Sequence, residues 1–203
     1  MPTAPAGPRR RADAERSIAR IVTAARTCLG RDPDATIEDI AKAAGVGRMT
    51  LYGHFPNRAE LIQAALADAM RTGDETLSAV DLGGDARDAL TRLLESSWAL
   101  VAESAALLEA AEGVLPAGRL RELHAVPAER VERLIRRGQN DGAFRTDLPT
   151  NWLVNAVHYL LKGAAQEQRA GRLDTAEAAH IVTTSVQSLL AAPTPSPDLT
   201  AAR

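Results

Sequence analysis

The sequence predicts an all-α fold, in which a small N-terminal unit with a helix-turn-helix precedes a larger helical domain. Ala, Leu, Glu and Arg fill long segments, while most of the 14 glycines and 11 prolines lie at the segment edges. The 203 residues, 45% of them hydrophobic, suffice for a small unit and one further helical core. The third observation is the segment 36–61, which reads TIEDIAKAAGVGRMTLYGHFPNRAEL.

The N-terminal residues predict an arm followed by a first helix. Residues 1–12 are rich in proline and contain three consecutive arginines, and they predict a disordered arm that either stays in solvent or reaches the DNA minor groove. A helix is predicted from near Asp13 to Gly30. Its apolar stripe includes Cys28, the single cysteine of the chain. A lone cysteine excludes an intramolecular disulfide, and a core thiol is favoured over a redox sensor.

Segment 36–61 contains the start and stop signals of two short helices. Thr36 and Asp39 form a capping-box pattern, and apolar residues then recur at helical spacing. Gly45 ends this helix, because glycine adopts the left-handed backbone conformation of a C-terminal cap. A second helix begins at Arg48, with Leu51 facing inward. Its outer face carries side chains able to contact phosphates and base edges in the major groove: Arg48, Met49, Thr50, Tyr52 and His54.

A further helix is predicted directly after this unit, from Arg58 to about Arg71. Asn57 supplies the cap and Glu60 occupies the third helical position. Arg58 therefore lies in the first turn, beside backbone amides that favour a phosphate.

These residues resemble the N-terminal signature of the TetR family of bacterial transcriptional regulators. The matching positions are Thr36, Asp39-Ile40-Ala41, Ala44-Gly45-Val46, Thr50-Leu51-Tyr52, His54-Phe55, Arg58 and Leu61. The resemblance implies an N-terminal three-helix DNA-binding domain and a C-terminal helical ligand-binding and dimerisation domain. It implies phosphate contacts by Tyr52, His54 and Arg58 and base contacts by Arg48, Met49 and Thr50, with Thr36 and Gly47 completing the DNA-binding set. Gly47, Met49 and Gly53 depart from the common pattern, so the family does not predict the operator sequence.

Five further helices are predicted downstream, at residues 85–103, 105–114, 127–139, 150–168 and 175–191. Pro116 and Gly118 are interpreted as a break between the second and third of these. The arginines of the 127–139 helix, Arg130, Arg133, Arg136 and Arg137, are predicted to face solvent. Residues 192–203 are rich in proline and predict a disordered tail.

The last two predicted helices carry the predicted dimer surface. Trp152, Tyr159 and Gly163 lie on one side of the 150–168 helix, where small residues allow close helix approach. A single recognition helix reads few bases, and symmetric pairing doubles the contact. A homodimer is therefore favoured over packing of these residues within one chain.

The resemblance also implies a small-molecule pocket in the C-terminal domain, for an effector that the sequence does not identify. The candidate ligand-binding residues are Met70, Trp98, Glu112, His124, Asn155, His158 and Tyr159. Aromatic residues make up only 3% of the chain, which favours a mostly aliphatic ligand over a cation held in an aromatic cage.

Charge and composition exclude several other classes of protein. Residues 1–60 carry a formal charge of +3 and residues 61–203 a charge of −5, so the positive end is the one with the helix-turn-helix. The histidines show no paired metal-ligand spacing, and no nucleophile or carboxylate pair indicates an enzyme, so neither a metal nor a cofactor is expected. No signal peptide or membrane span is evident, which predicts a cytoplasmic protein.

The sequence thus predicts a DNA-binding transcriptional regulator, most simply a repressor released from a palindromic operator by a small molecule. The alternative is an architectural or interaction protein with a helix-turn-helix and no small-molecule control. The predicted organisation is an arm at residues 1–12, a DNA-binding domain at 13–56, an effector-binding and dimerisation domain at 57–191, and a tail at 192–203.

Overall fold

The computed structural model describes residues 8–193, with side chains described from Ala12 onward, and it confirms the all-α prediction. Within this range there are nine helices: α1 (Pro8–Arg31), α2 (Ile37–Ala44), α3 (Arg48–His54), α4 (Arg58–Leu77), α5 (Ala86–Glu112), α6 (Ala117–Leu123), α7 (Ala125–Asn140), α8 (Thr150–Arg169) and α9 (Thr175–Leu190). The described part of the chain has no β-strand, and an isolated antiparallel bridge pairs Phe144 with Ala191.

Several helix bounds differ from the sequence-based prediction. α1 begins at Pro8 instead of near Asp13, and α4 continues to Leu77 instead of ending near residue 71. The first seven residues of the predicted arm, and residues 194–203 of the predicted tail, lie outside the described residues.

The largest differences occur in the middle of the chain. The two helices predicted at 85–103 and 105–114 are one continuous helix, α5, because no proline or glycine interrupts the chain before Gly113. α6 was not predicted at all. Pro116 is its N-cap residue and does not break it, because a proline costs little where a backbone N–H has no partner within the helix.

The helices divide into two compact units, each with its own buried residues. Within the described residues, the first contains residues 8–78 and 100–126, and the second contains residues 79–99 and 127–193. α5 contributes its C-terminal half to the first unit and its N-terminal half to the second.

The first unit surrounds one continuous apolar core that contains the helix-turn-helix. α1 packs against both α2 and α4, and α4 also contacts α6. The core includes residues from α1, α2, α3, α4 and α5, and these are fully buried: Ile21, Leu29, Ile40, Leu51, Leu61, Ile62, Leu66 and Ala111. Cys28 is half-buried against this core, and burial followed by the charge of Asp39 raises the pKa of its thiol.

The second unit is held together by apolar contacts and by side chains that bond to the backbone of other helices and loops. α8 packs against α9. From α9, Gln187 donates to the carbonyl oxygen of Arg87 over 2.8 Å and to the hydroxyl of Thr91 over 3.0 Å. Arg87 in turn donates to the carbonyl oxygen of Ala143 and lies over the ring of Phe144.

Arg130 corrects the prediction of a solvent-facing arginine run on α7. Arg133 and Arg136 are exposed as expected and Arg137 is half-buried, whereas Arg130 is only 8% exposed. Its position follows from the helix itself, because Arg130 adjoins the inward face formed by Val131, Leu134 and Ile135.

The turn after α7 depends on a glycine within the helix. The ring of Phe144 folds back over Gly138 and is 1% exposed, and an added Cβ at Gly138 would lie 2.0 Å from Phe144 Cδ2. Gly142, with a φ of 73°, reverses the chain, and the amides of Ala143 and Phe144 both donate to the carbonyl oxygen of Gly138. Any larger residue at position 138 must displace the buried ring.

We expect Gly138→Ala to destabilise the protein by about 1–3 kcal/mol, because an added methyl group overpacks a site that is already filled. Gly118→Ala on α6 is the matched control, since an added Cβ there meets no atom within 4 Å. Urea unfolding followed by circular dichroism measures both. Equal unfolding free energies for the two variants would contradict the close approach of Phe144.

Candidate nucleic-acid interface

α3 presents a polar outer face and anchors itself through one residue. Leu51 is fully buried, while Arg48, Met49 and Thr50 are exposed, and Met49 has 82% of its surface accessible. An apolar side chain this exposed at the start of a helix has no role in the fold of the chain itself. The arrangement leaves the first turn of α3 accessible to a partner molecule.

α2 and the corner after it determine where α3 lies. The Thr36 hydroxyl accepts a hydrogen bond from the backbone amide of Asp39, with an N–O distance of 3.2 Å. The Asp39 carboxylate accepts one from the backbone amide of Thr36 at 3.0 Å, which confirms the capping box. These bonds to Thr36 lower the pKa of Asp39. At the other end Gly45 has a φ of 64°, and the Val46 amide bonds to the carbonyl oxygen of Ala41 over 3.0 Å. Both ends of α2 are therefore fixed by local bonds.

Arg48, the first residue of α3, has two partners within the domain. It donates from Nη1 to the carboxylate of Glu38 on α2, and its guanidinium lies 5.5 Å from the centroid of the Tyr52 ring. Interaction with Tyr52 and the charge of Glu38 raise the pKa of Arg48 above its ordinary value. Sequence reasoning missed Glu38. The available signal was an acidic residue on the outer side of α2, ten positions before a basic residue.

Arg58 lies in the first turn of α4, as predicted, and binds the loop between α1 and α2. Nη1 donates to the carbonyl oxygen of Ala35 over 2.5 Å and Nη2 to that of Pro33 over 2.9 Å. Asn57 caps the helix by accepting the Glu60 amide over 2.9 Å. The guanidinium is half-buried and fastens the segment that leads into α2, a role the sequence did not reveal.

The remaining predicted DNA-binding residues lie on or beside α3. Tyr52 and His54 are half-buried, and Tyr52 packs against the core of the first unit. Gly47 is the N-cap residue of α3 and supplies no capping side chain. Thr36, Gly47, Arg48 and Met49 are all exposed, so this side of the domain combines one guanidinium with small and apolar groups.

The predicted effector-binding residues are divided between the two units. In the first unit, Met70 is half-buried against the core and Glu112 is exposed, while His124 is half-buried with Nδ1 2.9 Å from the carbonyl oxygen of Leu120.

The other four predicted effector-binding residues belong to the second unit. Trp98 is buried at 7% exposure, and His158 is half-buried with Nδ1 2.8 Å from the carbonyl oxygen of Val154. Asn155 is exposed, and Tyr159 is 68% exposed. Tyr159 therefore contributes to the outer surface of α8 and not to an interior wall.

α8 and α9 share an exposed apolar surface. Four large apolar side chains on these two helices remain accessible to solvent: Trp152 at 53%, Tyr159 at 68%, Leu160 at 36% and Ile181 at 39%. A shallow groove beside them is lined by Gly163, Ala164, Val182 and Ser185. Exposed apolar groups gathered in one place are typical of an interaction surface.

The described residues contain neither a metal-binding cluster nor a helix able to span a membrane. Between residues 8 and 193 there is no cluster of three or more His, Cys, Asp or Glu side chains arranged to hold a metal ion. Over the same range, none of the helices combines the length and apolar character needed to cross a bilayer.

The sequence of the N-terminal unit matches the family model described as bacterial regulatory proteins, tetR family, over residues 21–65. The match covers the C-terminal part of α1, all of α2 and α3, and the start of α4. Over this segment the chain is similar to the tetR family of bacterial regulatory proteins. The match confirms the resemblance predicted from the helix-turn-helix residues.

Known TetR-family proteins resemble the chain in sequence and in fold. The HTH-type transcriptional repressor LfrR of Mycolicibacterium smegmatis is 35% identical over 83 residues, which is 40% of this chain and 44% of LfrR. The aligned segment thus spans less than half of that curated relative. The crystal structure of LfrR with proflavine superposes with a TM-score of 0.70 at 23% identity, covering 87% of this chain and 97% of LfrR.

A second solved structure shares the fold. RolR in complex with resorcinol superposes with a TM-score of 0.62 at 23% identity, over 90% of this chain and 91% of RolR. Together these structures confirm a TetR-like all-helical fold with an N-terminal helix-turn-helix.

We expect Arg58→Ala to lower the free energy of unfolding by about 1–3 kcal/mol, because it leaves the carbonyl groups of Pro33 and Ala35 without their donor. Arg20→Ala, on the exposed side of α1, is the control and is expected to change stability by less than about 0.5 kcal/mol. Urea unfolding gives the stabilities, and hydrogen exchange of the α2 amides locates the effect. Unchanged exchange in α2 would show that Arg58 does not fasten this loop.

Proposed function

We propose that the protein is a sequence-specific transcriptional repressor that binds a palindromic operator as a homodimer and is released by a small-molecule effector. The observation that carries this proposal is the exposed first turn of α3, held outward by the buried side chain of Leu51. A helix of this size with an accessible polar face fits the major groove.

Within the interface, we assign base contacts to Arg48, Met49 and Thr50, which open α3 and are exposed. Tyr52 and His54, nearer the end of α3, are assigned to phosphates. Arg58 is assigned to a phosphate by the family resemblance. Two of its five N–H donors bind backbone carbonyl groups, so three are left for a phosphate. Thr36 and Gly47 set the start of α2 and α3 at the DNA surface.

Selection of duplexes from a random-sequence pool tests this function directly. The proposal predicts a palindrome whose half-sites are centred about 34 Å apart, or a multiple of that distance. Arg48→Ala should alter the preferred sequence, whereas changes at phosphate-contacting residues should weaken all sequences alike. Recovery of sequences with no shared element would instead support the architectural alternative.

The α8–α9 surface is the proposed dimer interface. It combines exposed aromatic and aliphatic groups with small residues, which is the composition that allows two helix pairs to pack closely. A two-fold axis through this surface also supplies the two recognition helices that a palindrome requires.

We expect Gly163→Glu to produce a monomer, because it introduces a charge at the centre of this surface. An added Cβ at Gly163 meets no atom within 4 Å, so a side chain can begin at this position without a clash inside the chain. Sedimentation at micromolar concentration measures the assembly, and circular dichroism verifies helical content. Gly118→Glu on α6 is the control and should remain dimeric. A monomeric wild-type protein would refute the interface.

For the effector, the residues predicted from the sequence remain our candidates, each within its own unit: Met70, Glu112 and His124 in the first, and Trp98, Asn155, His158 and Tyr159 in the second. Among these, Trp98 is the buried aromatic group, while Met70 and the two histidines are half-buried. Relatives were crystallised with proflavine and with resorcinol, so the bound molecule varies among similar proteins. A small organic effector is supported, and its identity is left to screening.

α4 is the proposed link between effector and DNA. It begins with Arg58 beside α2, and near its far end Gly73 approaches Leu100 of α5. Asp68 of α4 accepts from Arg26 of α1 over 2.9 Å and from Arg71 over 2.6 Å. Burial raises the pKa of Asp68, but these two arginines together lower it below its ordinary value, so the carboxylate stays charged. Movement of α4 would therefore carry α1 with it.

A ligand should release DNA if it favours a state in which the spacing of the two recognition helices no longer matches the half-sites of the operator. By reciprocity, operator DNA must then lower the affinity for the ligand by the same factor as the ligand lowers the affinity for DNA. We expect a coupling of about 1–3 kcal/mol, or roughly 5- to 150-fold in affinity. Calorimetric titration of a ligand found by thermal-shift screening, with and without operator duplex, measures the factor. Equal affinities in the two titrations would exclude effector-induced release.

A further inference from the structure

The carboxylate of Glu38 lies beside Arg48, the first residue of α3. Glu38 is the second residue of α2, and its neighbours Ile37 and Ile40 are buried, so the helix turns Glu38 toward solvent. There it accepts a hydrogen bond from Arg48 Nη1, and the two side chains are 56% and 58% exposed. The pair thus joins the outer side of α2 to the first turn of α3.

Tyr52 restricts the same guanidinium from a second direction. It lies one helical turn after Arg48, and its ring centroid is 5.5 Å from Arg48 Cζ. A planar guanidinium stacks well on an aromatic face. The carboxylate and the ring together define one orientation for a long side chain that otherwise samples many rotamers.

An ion pair this exposed contributes little to the stability of the fold. Its effect is expected when DNA approaches. A mobile arginine at a duplex is attracted to the nearest phosphate, and such a contact carries no sequence information. A carboxylate is repelled by phosphates and keeps the guanidinium beside itself. The remaining N–H donors are then available for a base edge, and guanine, with O6 and N7 acceptors, is the base that matches an arginine.

We propose that Glu38 is a specificity-determining residue that positions Arg48 to read a guanine in the major groove and keeps it from neighbouring phosphates. The inference rests on the proposed function. Glu38 acts through Arg48 and is a positioning residue. A negative charge at this place weakens binding to every duplex, but it weakens binding to the wrong sequence more, which is how specificity increases.

The test compares Glu38→Gln with Asp34→Asn, which removes the same charge from an exposed position near the start of α2. For each protein, affinity is measured for the duplex that the wild type selects and for a scrambled duplex of equal length. We expect the ratio of the two affinities to fall about tenfold in Glu38→Gln, within the range for a lost base contact. Binding to the scrambled duplex should tighten, and its salt dependence should steepen by about 0.9 for each phosphate newly contacted. Asp34→Asn should preserve the ratio and the salt slope.

Repeating the Glu38→Gln measurement in a protein that already lacks the Arg48 side chain shows whether Glu38 acts through Arg48. In Arg48→Ala, the additional Glu38→Gln change should leave the affinity ratio unaltered. The inference is overturned if Glu38→Gln keeps the wild-type ratio, if Asp34→Asn lowers the ratio equally, or if the Glu38→Gln effect persists without Arg48. A wild-type protein that selects no sequence would instead remove the proposed function, and this inference with it. Thermal unfolding of both variants should match the wild type, because both side chains are exposed.

Discussion

The packing of α2 against α1, with α3 packed on α2 and anchored in the core by Leu51, is the constraint on which the DNA-facing surface depends. α3 has seven residues, and a helix of this length is unstable by itself in water. Its position is determined by the buried side chain of Leu51, by the left-handed turn at Gly45 and by the capping box at Thr36. Each of these features is local and simple. Together they allow the rest of α3 to remain exposed.

Two arginines in this domain have contacts within the protein as well as assigned roles on DNA. Arg58 bonds to the loop before α2, and Arg48 pairs with Glu38. Substituting either residue alters the protein before DNA is present. For Arg58 variants, a measurement of stability separates the loss of this internal contact from the loss of the DNA contact. Arg48 variants are expected to keep their stability, because the pair with Glu38 is exposed.

The sequence predicted the features that depend on neighbouring residues. Three such features were predicted correctly, because each depends on residue types a few positions apart: the capping box at Thr36, the turn at Gly45 and the cap at Asn57. The pairing of Arg48 with Glu38 and the binding of Arg58 to two carbonyl groups were not, because both join residues brought together by folding. Burial of Arg130 was missed because its charge was weighed above its position, one residue before Val131 and one helical turn before Leu134 on the inward face of α7. The continuity of α5 was available from the sequence, because no proline or glycine lies between Ala86 and Glu112. α6 was missed because Pro116 was interpreted as a break, although a proline is tolerated where a helix begins.

Hydrogen–deuterium exchange with and without the selected operator duplex tests most directly whether the outer face of α3 is the DNA-binding surface. If α3 binds the operator, the amides of α3 and of the first turn of α4 should exchange more slowly when the duplex is present. Exchange of the α7 amides should not change. The exposed arginines of α7, Arg133 and Arg136, form the alternative basic surface. Protection of α7 with no change in α3 would contradict the account.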